Sequence, residues 1–338
     1  MTVLSVAYPL LPVGQDSGGG AEQILSSIEQ GLVGAGHRSV VIAAKGSEIA
    51  GDLIRSSATS CEITDEIRQN AQQVHMGCIG EALERYPIDL IHFHGLDFYN
   101  YLPNQAVSML ATLHLPVSFY PAWIFDDSRV KLNCVSQTQA NSAPGQRKPP
   151  VIFNGIDTKR YRDRSAERDF LLMLTRICPE KGVHIALEVA HRLDLRLIIA
   201  GPVHPFRDHQ IYFSERVQLL LDDRRRYVGP VAAETKTALL AGAQCVLIPS
   251  LVAETSSLVA MEAISSGTPV IAFRSGALPE VVAHGETGFI VDSQDQMIEA
   301  VQHTSEISPE TCRSAAKLRF DARRMVSDYI KLYGELLQ

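Results

Sequence analysis

The sequence predicts an α/β protein made of two doubly wound, Rossmann-like parallel-sheet domains in tandem. Short apolar runs alternate with helical stretches along almost all of the 338 residues. That is the rhythm of a parallel sheet covered on both faces. The alternation stops at the charged segment DTKRYRDRSAERD, residues 157–169, and then restarts. A chain of this length also exceeds what one core usually supports.

The first domain opens with the strand VLSVAY, a glycine-rich turn and the helix AEQILSSIEQGLVGAG. SVVIAA follows as a strand. The helical stretch EIRQNAQQVHMGCIGEALERY leads into IDLIHFHG, and SMLATLH, LNCVSQ and PVIFN complete the set. After the charged linker come FLLMLTR, a helix through VHIALEVAHRL, LRLIIAGP, RYVGPV, a helix around ETKTALLAGA, CVLIPS, the helix LVAMEAI, PVIAF and GFIVD. At the C-terminus, Phe320, Met325, Val326, Tyr329, Ile330, Tyr333, Leu336 and Leu337 fall on one helical stripe that needs an apolar surface. The expected domains are therefore 1–160, 161–318, and a helix at 319–338 that crosses back onto the first. The linker and the crossing before Phe320 are expected to act as a double hinge that closes on a ligand.

Composition excludes several classes. A net charge of -7 argues against nucleic acid as the main partner. The cysteines at 61, 78, 134, 178, 245 and 312 form no C-x-x-C pair, which suits a reducing compartment and gives no metal-site spacing. MTVLSVAYPLLPVGQ has no basic n-region and reads as a first strand, so a cytoplasmic location is expected. No run approaches the ~20 apolar residues of a membrane span, so no stable membrane insertion is expected.

In doubly wound domains ligands bind at the carboxyl ends of the strands. After the first strand, Gly18, Gly19 and Gly20 open a helix whose N-terminus favours an anion, or simply form a flexible turn. They do not make G-x-G-x-x-G. His94 and His114 each end a strand, and Asp97 and Tyr99 follow His94 closely enough to hydrogen-bond a polyol. In RICPEKG, Arg176 and Lys181 flank a turn that opens a helix, a metal-free phosphate site or two surface cations. In AETSSLVAMEAISSGTP, Thr255, Ser256, Ser257 and Leu258 supply capping hydroxyls and helix-start N–H groups, with Gly267 as the closing C′ residue. Glu254 stands at the mouth of that helix. Glu262 lies inside it, between the directions of Leu258 and Val259, where a carboxylate is costly unless it has a partner.

Glu254 and Glu262 are separated by seven residues. This resembles the E-x7-E signature of the retaining glycosyltransferases with the GT-B fold, family 4 (glycosyl transferases group 1). GGGAEQ, ATLH, VIFNGID, LTRICPEKG, SSGTPVIAF, LPEVV, GETGFIV and the terminal MVSDYIKLY agree in order, so the resemblance covers nearly the whole chain. It implies a GT-B fold and a nucleoside-diphosphate sugar as co-substrate, with a uridine or thymidine base (UDP- or dTDP-sugar) ahead of others. It implies that Glu262 holds the ribose hydroxyls, Glu254 contacts the donor sugar, and Arg176 and Lys181 neutralise the diphosphate. His114 would lie near the reacting sugar, and Gly18 to Gly20 would line the acceptor side or the diphosphate. Many relatives have Phe-Gly or a similar pair after the first Glu, where this chain has Ser256 and Ser257. Donor identity therefore does not carry over.

Cationic groups and a helix N-terminus can stabilise a departing diphosphate, a job that a metal does elsewhere. With no D-x-D pair, no metal and no bound cofactor are expected. His114 suits a general base if transfer inverts; the resemblance points to retention, and with no identifiable carboxylate nucleophile a front-face attack by the hydroxyl acceptor is expected. The alternatives are a sugar-nucleotide epimerase on the same fold and a non-catalytic two-lobed nucleotide-sugar-binding protein. A dinucleotide dehydrogenase would need the missing G-x-G-x-x-G.

Overall fold

The computed structural model describes residues 1–56, 64–146, 148–161 and 168–338. Cys61 and six residues of the charged linker, 162–167, lie outside them. The chain divides into Met1–Gly155 with Ala322–Gln338, and Ile156–Asp321.

The first unit holds a six-stranded sheet of β1 (Thr2–Val6), β2 (Arg38–Ala43), β3 (Asp52–Arg55), β4 (Leu90–Phe93), β5 (Ser108–Leu113) and β6 (Val130–Cys134). All pairs are parallel, in the order β3-β2-β1-β4-β5-β6. Val3, Leu4, Val40, Ile42, Ile91 and Phe93 are fully buried. Both faces are thus covered, which is why these strands read as continuous apolar runs. The helices are α1 (Gly20–Gly34), α2 (Asp65–Arg85) and α3 (Gln137–Ser142). Thr64 caps α2 by accepting the Ile67 N–H at 3.2 Å, and Asp65 and Glu66 complement the helix dipole.

Two strand assignments differ from the sequence reading. DLIR forms the edge strand β3, which the reading passed over because it is only four residues and mostly half-buried. PVIFN, read as a strand, supplies only one isolated bridge, Val151 to Cys134. Its apolar residues pack beside β6 without extending the ladder.

The second unit repeats the plan with β7 (Phe170–Leu174), β8 (Leu197–Ala200), β9 (Arg225–Tyr227), β10 (Ala243–Ile248), β11 (Val270–Phe273) and β12 (Gly288–Val291). The order is β12-β11-β10-β7-β8-β9, again all parallel. Counted from its own first strand, this is the same doubly wound order as in the first unit. Its helices are α4 (Val183–Arg192), α5 (Arg207–Tyr212), α6 (Ala233–Gly242), α7 (Leu258–Ser265), α8 (Leu278–Val281), α9 (Gln294–Gln302) and α10 (Pro309–Arg319).

The terminal helix α11 (Ala322–Leu336) belongs to the first unit. Its buried side is Met325, Val326, Tyr329, Leu332 and Tyr333. Gly31 on α1 makes the close approach possible, since a Cβ there would sit 2.5 Å from Val326 Cγ2. Phe320 is not part of this stripe. The helical run breaks at Phe320, which instead joins the core of the second unit. Ile156 donates its N–H to the Phe320 carbonyl at 2.7 Å, so the chain's entry to and exit from the second unit lie side by side.

Among the described residues no helix is long and apolar enough to cross a membrane, and the five cysteines are free thiols.

Candidate active site

In each sheet the direction of strand addition reverses once, and the loops after the two strands flanking that point diverge. In the second unit the point lies between β7 and β10. The loop after β7 is RICPEKG and the loop after β10 is PSLVAETSS.

These loops are tied together. Leu251 donates its N–H to the Glu180 carbonyl at 2.8 Å. Gly182 adopts φ +65°, closes the short turn Pro179–Lys181 and caps α4. A side chain there would collide with the Pro249 carbonyl, so glycine serves both the conformation and the approach. Lys181 Nζ lies 2.5 Å from Glu254 Oε1, which also accepts from Ser250 Oγ at 2.6 Å. Lys181 and Glu254 are 19% and 15% exposed, so the pair is sheltered but still reachable. Arg176 is exposed, and its guanidinium has no ion-pair partner among the described residues.

Ser257 caps α7, its hydroxyl accepting the Ala260 N–H at 3.2 Å. Thr255, Ser256, Ser257 and Leu258 are half-buried at the helix start, where first-turn N–H groups have no helical carbonyl to bond. Gly267 follows the helix with φ +73°.

Glu262 sits one turn into α7 with only 3% of its side chain exposed. Its partners come from within the protein. Lys236 Nζ on α6 lies 2.7 Å from Oε1, and the buried Tyr161 hydroxyl donates to the same oxygen at 2.8 Å. Oε2 has no hydrogen-bond partner among the described residues. The sequence reading missed both partners. Lys236 stands 26 residues away on another helix, where no spacing rule applies. Tyr161 falls within the charged segment 157–169, which reads as a linker.

The first unit carries the other group. Gly18 is open on its Cβ side, Gly19 is the N-cap of α1 and Gly20 its first residue. The carboxylate of buried Glu22 folds back over Gly19, and burial holds its pKa above the usual range. The helix start thus already faces a carboxyl group of its own. Asp97 is 3% exposed. Tyr101 donates to its Oδ1 at 3.0 Å and Gln72 to its Oδ2 at 2.7 Å, so both oxygens are engaged inside the fold. Burial raises its pKa despite those bonds. Tyr99 is half-buried with its ring edge-on to Trp123. His94 and His114 are joined, Nδ1 to Nε2, at 3.1 Å. His92, inside β4 and unremarked in the sequence, extends that line through His94 Nε2 at 3.2 Å.

Cys178, Glu180 and His209 could hold a metal ion, since their ligand atoms lie within 4.8 Å of one another. Burial pushes the Cys178 thiol up to about 11, so a metal there would have to displace a firmly held proton. Sequence spacing gave no hint, because His209 comes from α5. A cavity of about 470 Å³ opens in the first unit among Ser108, Asp127, Arg129, Val130 and Lys148. It lies at the N-terminal ends of β5 and β6, the opposite end from His114.

Residues 157–319 match the family described as glycosyl transferases group 1. The chain is 35% identical over 167 residues to a D-inositol 3-phosphate glycosyltransferase of Corynebacterium efficiens, covering 43% of this chain and 39% of that protein. It is 34% identical over 152 residues to the MMP alpha-(1->4)-mannosyltransferase of Mycolicibacterium hassiacum, covering 43% and 36%. The chain thus spans about two fifths of the length of these curated relatives. The whole fold resembles sucrose-phosphate synthase from Thermosynechococcus elongatus, with a TM-score of 0.83 at 18% identity over 99% of both chains. It also resembles Anabaena HepE in complex with UDP and glucose, with a TM-score of 0.78 at 17% identity over 99% of this chain and 100% of that one. Those likenesses establish the GT-B fold.

Proposed function

We propose that this chain, whose residues 157–319 match the group 1 glycosyltransferase family, moves a sugar from a nucleoside-diphosphate sugar to a hydroxyl acceptor. The reaction in this reading retains the anomeric configuration and needs no metal ion. One observation carries it. At the switch point of the second sheet, Lys181 and Glu254 form a sheltered pair beside the capped start of α7. Glu262 stands one turn inside that helix with Oε2 unengaged by the described residues.

Each group then has a task. Glu262 Oε2 accepts from a ribose hydroxyl, while Lys236 and Tyr161 hold the carboxylate in place through Oε1. The N–H groups at the start of α7 and the Arg176 guanidinium meet the diphosphate. Negative charge grows there as the glycosidic bond breaks, so these contacts strengthen in the transition state. Lys181 shares its charge between Glu254 and the leaving group, and Glu254 accepts from the donor sugar. The acceptor hydroxyl attacks on the face that the diphosphate leaves, and a phosphate oxygen takes its proton. The likeness to a structure holding UDP and glucose supports uridine as the first base to test. The free thiols fit a reducing compartment, and a cytoplasmic location is part of this reading.

Thermal unfolding across a panel of nucleotide sugars tests it, because a ligand that binds the native state raises its stability. A nucleoside-diphosphate sugar should raise the midpoint, and transfer should persist in excess chelator. No shift with any nucleotide would defeat the reading. Loss of transfer in chelator, restored by magnesium or manganese, would defeat its metal-free part.

A further inference from the structure

Between Arg176 and Lys181, the loop after β7 carries side chains that the proposed transfer does not use. Cys178 is fully buried, and Glu180 and His209 are half-buried beside it. Each offers one ligand atom, a sulfur, a carboxylate oxygen and a ring nitrogen, and the three lie within 4.8 Å of one another. Their backbones are held independently. Cys178 caps the turn Pro179–Lys181, and its carbonyl accepts the Lys181 N–H at 3.1 Å. The Glu180 carbonyl accepts the Leu251 N–H at 2.8 Å. His209 stands on α5, and Tyr212 of that helix accepts the His184 N–H at 3.1 Å, which fastens α5 to α4.

Two of the three groups are poorly satisfied by protein. His209 Nδ1 is buried without a hydrogen-bond partner among the described residues. Buried nitrogens are nearly always paired, with protein, water or an ion. The Cys178 sulfur reaches the Arg176 carbonyl only at 3.7 Å.

The donor set selects the ion. A thiol, an imidazole and one carboxylate suit zinc, whereas calcium and magnesium take shells of oxygen. With bonds of about 2.0–2.3 Å, the ligand atoms of a tetrahedral zinc lie about 3.4–3.7 Å apart. Small side-chain rotations close the gap from 4.8 Å. Charge decides whether an ion can stay. Arg176 and Lys181 both act on Cys178 and oppose a further cation. Zinc takes the sulfur lone pair as the S–H bond breaks and the proton leaves to solvent. Thiolate and carboxylate then match the two charges of the ion.

We propose that Cys178, Glu180 and His209 form a zinc site that ties α5 to the loop carrying Arg176 and Lys181. Three protein ligands leave one position to water, so the ion is exchangeable and the tie reversible. It joins two segments and takes no step in sugar transfer. The site does not rest on the transferase reading.

Cobalt(II) is the probe, because its spectrum reports both thiolate ligation and four-coordination. The full chain, reduced and stripped of metal, is titrated with cobalt(II) without nucleotide or sugar. The expected result is a thiolate-to-cobalt charge-transfer band with the intense visible bands of four-coordinate cobalt, both lost when zinc is added. Cys178→Ser should remove the charge-transfer band, whereas Cys78→Ser, outside the cluster, should keep it. His209→Gln and Glu180→Gln should each raise the Kd at least about tenfold, the least that losing even an outer-shell partner costs. Zinc should also slow amide exchange in residues 176–182 and 207–212 together. No charge-transfer band in the wild type, a band that survives Cys178→Ser, or an undiminished affinity in His209→Gln would each overturn the site. If Cys178→Ser fails to fold, the wild type and His209→Gln still decide it, since His209 is only half-buried. These readings need no substrate, so a failed transferase reading leaves them decisive.

Discussion

Glu262 anchors the fold and, in the proposed function, also holds the ligand, and its two oxygens divide the work. Oε1 takes Lys236 and Tyr161, which stabilises a carboxylate that α7 otherwise surrounds with apolar residues. Replacing Glu262 with Gln should therefore lower native stability by about 1–3 kcal/mol, by leaving Lys236 without its counter-charge. It should also weaken UDP binding about tenfold or more, the loss expected for a charge-assisted hydrogen bond. Lys236→Met separates the two effects, since it removes the ion pair and keeps the carboxylate. Calorimetry with free UDP beside thermal melts checks both, and unchanged affinity in Glu262→Gln would remove the ribose role. Arg176 and Lys181 should part in a similar way. Arg176→Ala should cut turnover about 10²–10³-fold with stability changed by no more than about 0.5 kcal/mol, because the side chain is exposed. Lys181→Ala should cut turnover and also lower the melting midpoint, because it leaves sheltered Glu254 without its cation. A weaker binding constant with undiminished turnover would reduce either residue to a ground-state clamp.

Elements carry the next level of constraint. α11 folds against the first unit only because α1 offers it Gly31 beneath Val326. Gly31→Leu should destabilise the first unit by about 1–3 kcal/mol through overpacking. Urea melts read by limited proteolysis of the first unit check this, and an unchanged midpoint would mean that α11 shifts at no cost. The element scale also explains what the sequence could tell. The long amphipathic stretch of α11, the Ser257 cap and the C′ glycine at 267 are local features, and local features are legible. DLIR and PVIFN were misjudged because pairing at a sheet margin depends on neighbours far along the chain. The same reason hid the partners of Glu262 and those of His92. A carboxylate on an apolar helix announces that a partner exists, but only the packing of α6 on α7 selects Lys236. His94 and His114 drew notice by ending strands, whereas His92 sits inside one, and two of its three partners, Thr112 and Tyr333, come from β5 and α11.

At the scale of the whole molecule, the same doubly wound order occurs twice, and in each copy the candidate site residues follow the carboxyl ends of strands. The two ends are chemically different. The first unit presents a neutral histidine row and carboxyl groups raised by burial, Glu22 and Asp97. The second presents cations, a capped helix start and two carboxylates eight positions apart in number, Glu254 and Glu262. In the proposed function a nucleoside diphosphate complements the second set, which would place the nucleotide on residues 156–321. Hydrogen exchange on the full chain, with and without saturating UDP, tests that assignment most directly. Slowed exchange should appear in the amides of residues 176–182 and 250–265, and Glu262→Gln should diminish it. Protection confined to residues 1–155, or no protection at any UDP concentration, would contradict it.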